Sequence, residues 1–220
     1  MEIDRWMAAF QERLLQKFGS RLLFLGLQGS RRRGEARPDS DIDVVTVLDT
    51  LSVADLESYK DALAGMPERE LACGFICGRE ELLYWPKYDL FTLEKDTRAF
   101  FGALAPLLPP LEDEDARQFI QISAANLYHA ACHMYLYENP SPENVRQLYK
   151  SVFYILRVKV YLEQGYFVDK KAALSQYISG CDLEVINAER QLEDLPGEAV
   201  LRPYFELLCG WCSGLFGSSL

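Results

Sequence analysis

Residues 27–43 have the sequence Leu-Gln-Gly-Ser-Arg-Arg-Arg-Gly-Glu-Ala-Arg-Pro-Asp-Ser-Asp-Ile-Asp, and this stretch decides the expected fold. The apolar run at residues 21–28 shows no helical repeat, which indicates a buried strand that ends at Gly29-Ser30. A polar, arginine-rich loop follows. Residues 41–48 are rich in β-branched side chains and predict a second strand. The stretch is therefore predicted to be a strand, a basic loop and a second strand.

Outward from this stretch, the pattern divides the chain into an α/β part and a helical part. Apolar spacing predicts helices at residues 3–18 and 53–65 and a third strand at 70–77. A proline-rich and then acidic segment at residues 105–115 indicates a linker. Beyond it, the periodicity predicts helices at residues 114–138, 141–164, 170–179, 182–193 and 198–216. We therefore expect an α+β protein with an α/β domain over residues 1–108, built on a mixed sheet, and a helical bundle over residues 109–220.

The composition excludes several classes of function. Among 220 residues, 49% are hydrophobic and 25% charged, which is typical of a globular protein. No apolar run approaches the roughly 20 residues that cross a bilayer, and no signal peptide is evident, so we expect a cytoplasmic protein without membrane partners. The net charge of −10 argues against nucleic-acid binding. An acidic cleft would instead concentrate a cationic substrate.

Asp41 and Asp43 are the residues with the clearest chemical implication. They are two apart on a predicted strand, so their side chains point to the same face. Two adjacent carboxylates repel each other unless a cation lies between them, and Mg²⁺ prefers carboxylates together with substrate phosphates. At Gly29-Ser30, main-chain N–H groups and a hydroxyl can hold a phosphate. The nearby basic residues, which could neutralise a triphosphate, are Arg31, Arg32, Arg33 and Arg37.

The segment from Leu27 to Ser30, with Gly34 and the Pro-x-Ser-Asp-x-Asp sequence at residues 38–43, resembles the DNA polymerase β-like nucleotidyltransferase superfamily. It looks most like the small-molecule nucleotidyltransferases, among which the streptomycin and spectinomycin adenylyltransferases also join an α/β catalytic domain to a helical bundle. The resemblance implies that Gly29 and Ser30 bind phosphate, that Ser40 supports the nucleotide, and that Asp41 and Asp43 hold Mg²⁺.

A second resemblance lies in the helical half. Arg157 and Lys170 match the family's Arg…Gly-x-x-x-x-Lys segment, whose two cations reach the ATP phosphates. From spacing alone, an equally good interpretation is an arginine on a helix surface and a solvent-exposed lysine at a helix N-terminus.

The third carboxylate of the family, which acts as a general base or as a further metal ligand, has no direct counterpart here. Its expected position falls at Ala72 or, with a slip of one residue, at Cys73. Glu70 lies two residues before Ala72 on the predicted strand and is the candidate base. Alternative sources of the base are Glu80, Glu81 and Asp89.

Three functions follow as hypotheses. The first is transfer of AMP, or another nucleoside monophosphate, from a nucleoside triphosphate to a hydroxyl of a small molecule, of which a cationic aminoglycoside-like compound is one example. The second is an inactive or weakly active nucleotide-binding regulatory protein, which the missing third carboxylate favours. The third is a protein-modifying nucleotidyltransferase of a toxin–antitoxin pair. The chain lacks the Arg-x4–6-His motif of the partner ribonuclease, so we expect no ribonuclease activity in its helical half.

Overall fold

A computed structural model describes residues 2–196 and 200–216. The chain divides between Leu111 and Glu112 into two units, whereas the sequence pattern puts the boundary between residues 108 and 109. Residues 198 and 199, where the last helix is predicted to begin, lie outside the described residues. None of the described helices is long and apolar enough to cross a membrane.

Besides three short 3-10 turns, the first unit contains four strands and five α-helices among its described residues. They are α1 (Ile3–Phe18), β1 (Leu22–Leu27), α2 (Gly29–Arg33), β2 (Ile42–Leu48), α3 (Val53–Ala64), β3 (Ala72–Gly78), α4 (Arg79–Tyr84), α5 (Lys87–Lys95) and β4 (Arg98–Phe101). The predicted helices and strands up to residue 78 are confirmed to within two residues. The sequence pattern does not indicate α4, α5 or β4, and it predicts a loop over the whole of residues 31–39 although α2 occupies the first part.

The four strands form one mixed sheet in the order β3-β2-β1-β4. Strands β2 and β3 are parallel, and β1 is antiparallel to both β2 and β4. The expected α+β class with a mixed sheet is therefore confirmed. This order puts β1 and β2 in the middle, so the segment that joins them, which carries the predicted site, emerges from the centre of the sheet.

Both faces of the sheet are covered, which explains why β2 is apolar almost throughout. On one face, Ile42, Val44 and Leu48 pack with residues of α1 and α3. On the other, Val45 and Val47 pack with residues of α4 and α5. Because side chains alternate along a strand, Asp43 belongs to the same face as Val45 and Val47.

Helix α3 begins at a capping box, and Arg21, the residue directly before β1, bonds to that capping box. Asp55 N–H donates to Ser52 Oγ at 3.2 Å, and Ser52 N–H donates to the Asp55 carboxylate at 2.9 Å. The Arg21 guanidinium also donates to Asp55, at 2.7 and 3.1 Å. This arginine therefore links the start of the sheet to a helix that the local sequence already caps.

The second unit is helical in its described residues, with α6 (Asp113–Tyr137), α7 (Pro142–Gln164), α8 (Lys171–Leu174), α9 (Gly180–Glu193) and α10 (Arg202–Phe216). Helix α6 packs against α7 and α10, and α9 packs against the same two helices. The predicted helix at residues 170–179 is wrong beyond Leu174. The chain turns there because Tyr177 stacks on Tyr166, with ring centroids 5.2 Å apart, and its carbonyl accepts a hydrogen bond from Gln164.

Candidate active site

Gly29 and Asp43 approach each other where β1 ends and β2 begins. Gln28 N–H donates to the Asp43 carbonyl at 2.8 Å. Gly29 follows with a φ of +71°, and a Cβ at this position would lie 1.9 Å from Asp43 Oδ2. A side chain is excluded here both by the left-handed backbone and by the carboxylate. The glycine therefore allows the Asp43 carboxylate to lie directly against the turn that begins α2.

Of the two predicted metal ligands, Asp43 lies on β2, whereas Asp41 immediately precedes this strand and is not part of it as predicted; among the described residues no cationic side chain is bonded to either carboxylate. Asp41 is exposed and Asp43 is partly buried. Within residues 2–196 and 200–216, neither carboxylate has a hydrogen bond or an ion pair. Burial raises the pKa of Asp43, and the negative charge of Asp41 raises it further, while Arg33 and Arg31 act in the opposite direction. The charged form of Asp43 is therefore disfavoured as it stands, and a bound cation would offset this effect.

Arg31 holds the segment that leads to Asp41. Its Nε donates to the carbonyls of Ser40 at 3.0 Å and Asp41 at 3.1 Å, and its Nη2 donates to those of Pro38 at 3.3 Å and Ser40 at 2.5 Å. One guanidinium therefore ties three carbonyls of a loop to helix α2. These bonds give the arginine a structural role that differs from the neutralisation of triphosphate expected from the sequence.

Arg32 and Arg33 also bond to the protein itself. Arg33 is 8% exposed; its Nη1 lies 3.1 Å from Asp96 Oδ2, and its Nε lies 3.0 Å from Glu35 Oε2. Arg32 Nη1 lies 3.4 Å from Asp96 Oδ1. Asp96 ends α5, so these pairs fasten α2 to the end of that helix. Sequence reasoning assigned no role to Asp96, since nothing in the local pattern around residue 96 points to a partner 63 residues away.

Ser40 and Arg37 form part of the turn that precedes β2. The main-chain N–H of Arg37 donates to Ser40 Oγ at 2.9 Å, and Ser40 N–H donates back to the Arg37 carbonyl at 3.1 Å. Arg37 is exposed. The Ser40 hydroxyl thus shapes the loop, and the predicted contacts of both residues with a nucleotide stay predictions.

Glu70 does not lie on a strand, which corrects the expectation from the sequence. It belongs to a 3-10 turn, Arg69–Leu71, and β3 begins at Ala72. The alternation of side chains on a strand therefore does not apply to it. In the parallel register, Asp43 is paired with Cys73, and side chains of neighbouring paired residues point to the same face. Cys73 is exposed and occupies the place beside Asp43 where the third carboxylate was sought. The role of Glu70 as a base stays a prediction.

In the helical unit, Arg157 is buried, at 1% exposure. Its Nε donates to the Val168 carbonyl at 2.6 Å, and its guanidinium carbon lies 4.3 Å from the ring centroid of Phe167 and 5.0 Å from that of Phe153. Lys170 is exposed at the start of α8. Arg157 therefore anchors the segment that carries Lys170, rather than lying on a helix surface. The predicted nucleotide contacts of both residues stay predictions.

The residues present fit a magnesium ion that also binds substrate phosphate. In the described part of the chain, no group of three or more His, Cys, Asp or Glu side chains is arranged to hold a metal. Mg²⁺ is usually bound by one or two carboxylates and completes its coordination with water and phosphate oxygens. Asp41 and Asp43 provide that ligand set, and both carboxylates are free of hydrogen-bond donors among the described residues.

Comparison with known proteins identifies the family of the chain. The family model described as nucleotidyltransferase domain matches residues 7–116. Protein adenylyltransferase MntA of Thermococcus cleftensis is 36% identical over 69 residues, which are 30% of this chain and 68% of MntA. Spectinomycin adenyltransferase AAD(9) from Enterococcus faecialis, solved with ATP and spectinomycin, has the same fold, with a TM-score of 0.61 at 14% identity over 97% of this chain and 99% of that chain. The chain therefore belongs to the nucleotidyltransferase domain family.

Proposed function

We propose that the protein transfers AMP from ATP to a hydroxyl group of a small molecule, with Mg²⁺ held by Asp41 and Asp43. One observation carries the proposal: two neighbouring carboxylates, unbonded within the described residues, lie at the turn that Gly29 keeps open. When bound, the ion would offset the charge of the triphosphate and stabilise the oxygens that carry charge in the transition state.

The chain's own residues would position the nucleotide. In this proposal Gly29 and Ser30 present main-chain N–H groups and a hydroxyl to the phosphates, and Arg37 adds a positive charge at the exposed side of the loop. The nucleotide contacts that the sequence predicts for Arg157 and Lys170 stay predictions; within its own unit, Arg157 holds the Val168 carbonyl, two residues before Lys170.

The proton of the acceptor hydroxyl needs a base, and the first candidate is Glu70. Strand β3 itself has no acidic residue between Ala72 and Gly78. Glu70 is exposed in the turn that leads into this strand. A carboxylate there would accept the proton as the hydroxyl attacks the α-phosphorus and pyrophosphate leaves.

Two observations support a small molecule as the acceptor. The fold similarity to a spectinomycin adenyltransferase extends over 97% of this chain, including the helical unit. The net charge of −10 would favour a cationic acceptor, since an acidic surface raises the local concentration of such a molecule. We therefore propose an amine-bearing compound with free hydroxyls, such as an aminocyclitol or aminoglycoside.

A second candidate function is the adenylylation of a protein. The observation that favours it is the 36% identity with protein adenylyltransferase MntA over 69 residues. In that case the acceptor would be a side-chain hydroxyl of a partner protein, and the same carboxylate pair would serve the transfer.

Transfer of labelled AMP tests these alternatives. The protein would be incubated with Mg²⁺ and ATP labelled at the α-phosphate, with a panel of aminocyclitols and aminoglycosides in one arm and a lysate in the other. We expect a labelled small-molecule product in the first arm. Label on a protein band in the second arm alone would favour protein adenylylation.

Asp41→Asn combined with Asp43→Asn should reduce transfer by at least about 10³-fold, because phosphoryl chemistry of this kind depends on charge stabilisation. Asp39→Asn is the matched control, since Asp39 is exposed in the same loop and the change removes the same kind of charge. Activity retained by the double variant would refute the assignment. Binding of ATP and Mg²⁺ without a product in either arm would instead indicate a nucleotide-binding regulatory protein.

A further inference from the structure

We infer that Arg31 is a positioning residue for the metal-binding carboxylates and not a ligand of the triphosphate. The inference rests on the proposed function, since it concerns the geometry of the same site. The three consecutive arginines of α2 contact two different parts of the chain. Arg32 and Arg33 pair with Asp96 at the end of α5, whereas Arg31 turns towards the loop that ends at Asp41.

The contacts of Arg31 account for the shape of that loop. Its four hydrogen bonds, between 2.5 and 3.3 Å, reach the carbonyls of Pro38, Ser40 and Asp41. The loop has no strand pairing of its own before Ile42. A planar guanidinium can serve several carbonyls at once, because its donors point in fixed directions within one plane. Arg31 therefore supplies the hydrogen bonds that hold a short segment together. Without them, this segment would be held mainly by the Arg37–Ser40 turn.

The two carboxylates are consequently held by different means. Asp43 is fixed by its place in β2 and by the close approach of Gly29. Asp41 precedes β2, and its main chain is fixed through the carbonyl that Arg31 binds. The distance between the carboxylates thus depends on Arg31. Since the guanidinium donates to main-chain carbonyls, its loss should first weaken metal binding rather than nucleotide binding.

Arg31→Ala and Arg31→Lys test the inference, with Arg32→Ala as the matched control. The control removes a guanidinium from the neighbouring position of the same helix but leaves the bonds to residues 38–41 in place. We expect Arg31→Ala to raise the Mg²⁺ concentration needed for half-maximal transfer by at least about tenfold, because Mg²⁺ demands near-ideal ligand geometry. The KM for ATP at saturating Mg²⁺ should change by less than about threefold. The Mg²⁺ requirement of Arg31→Lys should lie between those of the wild type and Arg31→Ala. Arg32→Ala should resemble the wild type in its Mg²⁺ requirement.

Two further measurements do not depend on turnover. Hydrogen exchange of the metal-free protein, followed on a peptide that covers residues 37–43, should become faster in Arg31→Ala than in Arg32→Ala. Calorimetry with Mn²⁺ and a non-hydrolysable ATP analogue should show weaker metal binding in Arg31→Ala.

An unchanged Mg²⁺ requirement with a tenfold higher KM for ATP would overturn the inference, because it would make Arg31 a phosphate ligand. Unchanged hydrogen exchange in residues 37–43 would overturn it as well. Failure of the wild type itself to bind the metal and the nucleotide analogue would overturn the proposed function. That outcome is distinguishable, since it appears before any variant is compared.

Discussion

Gly29→Ala tests the geometry of the site most directly. The added Cβ would lie 1.9 Å from Asp43 Oδ2, and real Cβ atoms essentially never come closer than 3.0 Å to such a neighbour. The carboxylate must therefore move by about 1.1 Å, the difference between these two distances. The displacement falls on one of the two proposed metal ligands and leaves the other in place.

The size of the effect follows from that displacement. A misplacement of about 1 Å in a reacting constellation costs about a hundredfold in rate, which is about 2.7 kcal/mol of transition-state stabilisation. A left-handed conformation costs a residue with a side chain a further ~1–2 kcal/mol of folding free energy. We therefore expect Gly29→Ala to lose about a hundredfold in kcat/KM and a small part of its stability.

Gly34→Ala separates the two effects. Gly34 has a φ of +72° and ends α2, but no heavy atom lies within 4 Å of the Cβ that a substitution would add. The Gly34→Ala variant should lose as much folding free energy from its left-handed backbone as Gly29→Ala, measured by urea unfolding. Its kcat/KM for transfer should stay within about threefold of the wild type. Equal losses of kcat/KM in both variants would refute the reasoning, because they would trace the defect to backbone strain and not to Asp43.

Three other predictions concern acidic residues. If Glu70 is the general base, Glu70→Gln should lower turnover by about 10²–10⁴-fold, and unchanged turnover would eliminate this role. Because burial and Asp41 raise the pKa of Asp43, folding favours its uncharged form, and the stability linked to that form is lost as the pH rises. Asp43→Asn should therefore increase the unfolding free energy of the metal-free protein at pH 7, and a decrease in urea titrations would contradict this. Arg21 lowers the pKa of Asp55, so the stability from this pair is present above the unfolded pKa of about 3.9 and is lost as the pH falls below it. Asp55→Asn should flatten the acid limb of thermal unfolding between about pH 4 and pH 2, and an unaltered limb would exclude the pair as its cause.

Local sequence patterns determined the frame of the protein. Three elements, α1, β1 and β2, were predicted from the amphipathic repeat over residues 3–18 and from the apolar runs around Gly29 and Asp41. Burial of one helical stripe or one strand requires apolar residues at regular local spacing, so the pattern is visible in the sequence. The long helices of the second unit followed from the same periodicity. The Gly-Ser and Asp-x-Asp motifs, at the two ends of the β1–β2 connection, also indicated the family, because the chemistry of phosphate and metal binding restricts which residues can stand there.

The short elements after residue 78 could not be predicted in this way. Helices α4 and α5 and strand β4 have nine or fewer residues each, so they carry too few repeats to show a period. The helix predicted at residues 170–179 failed for a related reason. Its last turn is replaced by the stacking of Tyr166 and Tyr177, and local propensity does not record such contacts.

The surroundings of the site were decided by tertiary structure. Arg33 is paired with Asp96, 63 residues away, and Arg31 holds carbonyls that the sequence shows only as loop residues. The partner of Asp43 across the sheet is Cys73 because β2 and β3 pair in one particular register. The sequence determined which residues can carry charge near the proposed phosphate site. Folding decided which of those charges are bonded to the protein itself, because a buried ion needs a partner and the chain brings that partner from a distant position.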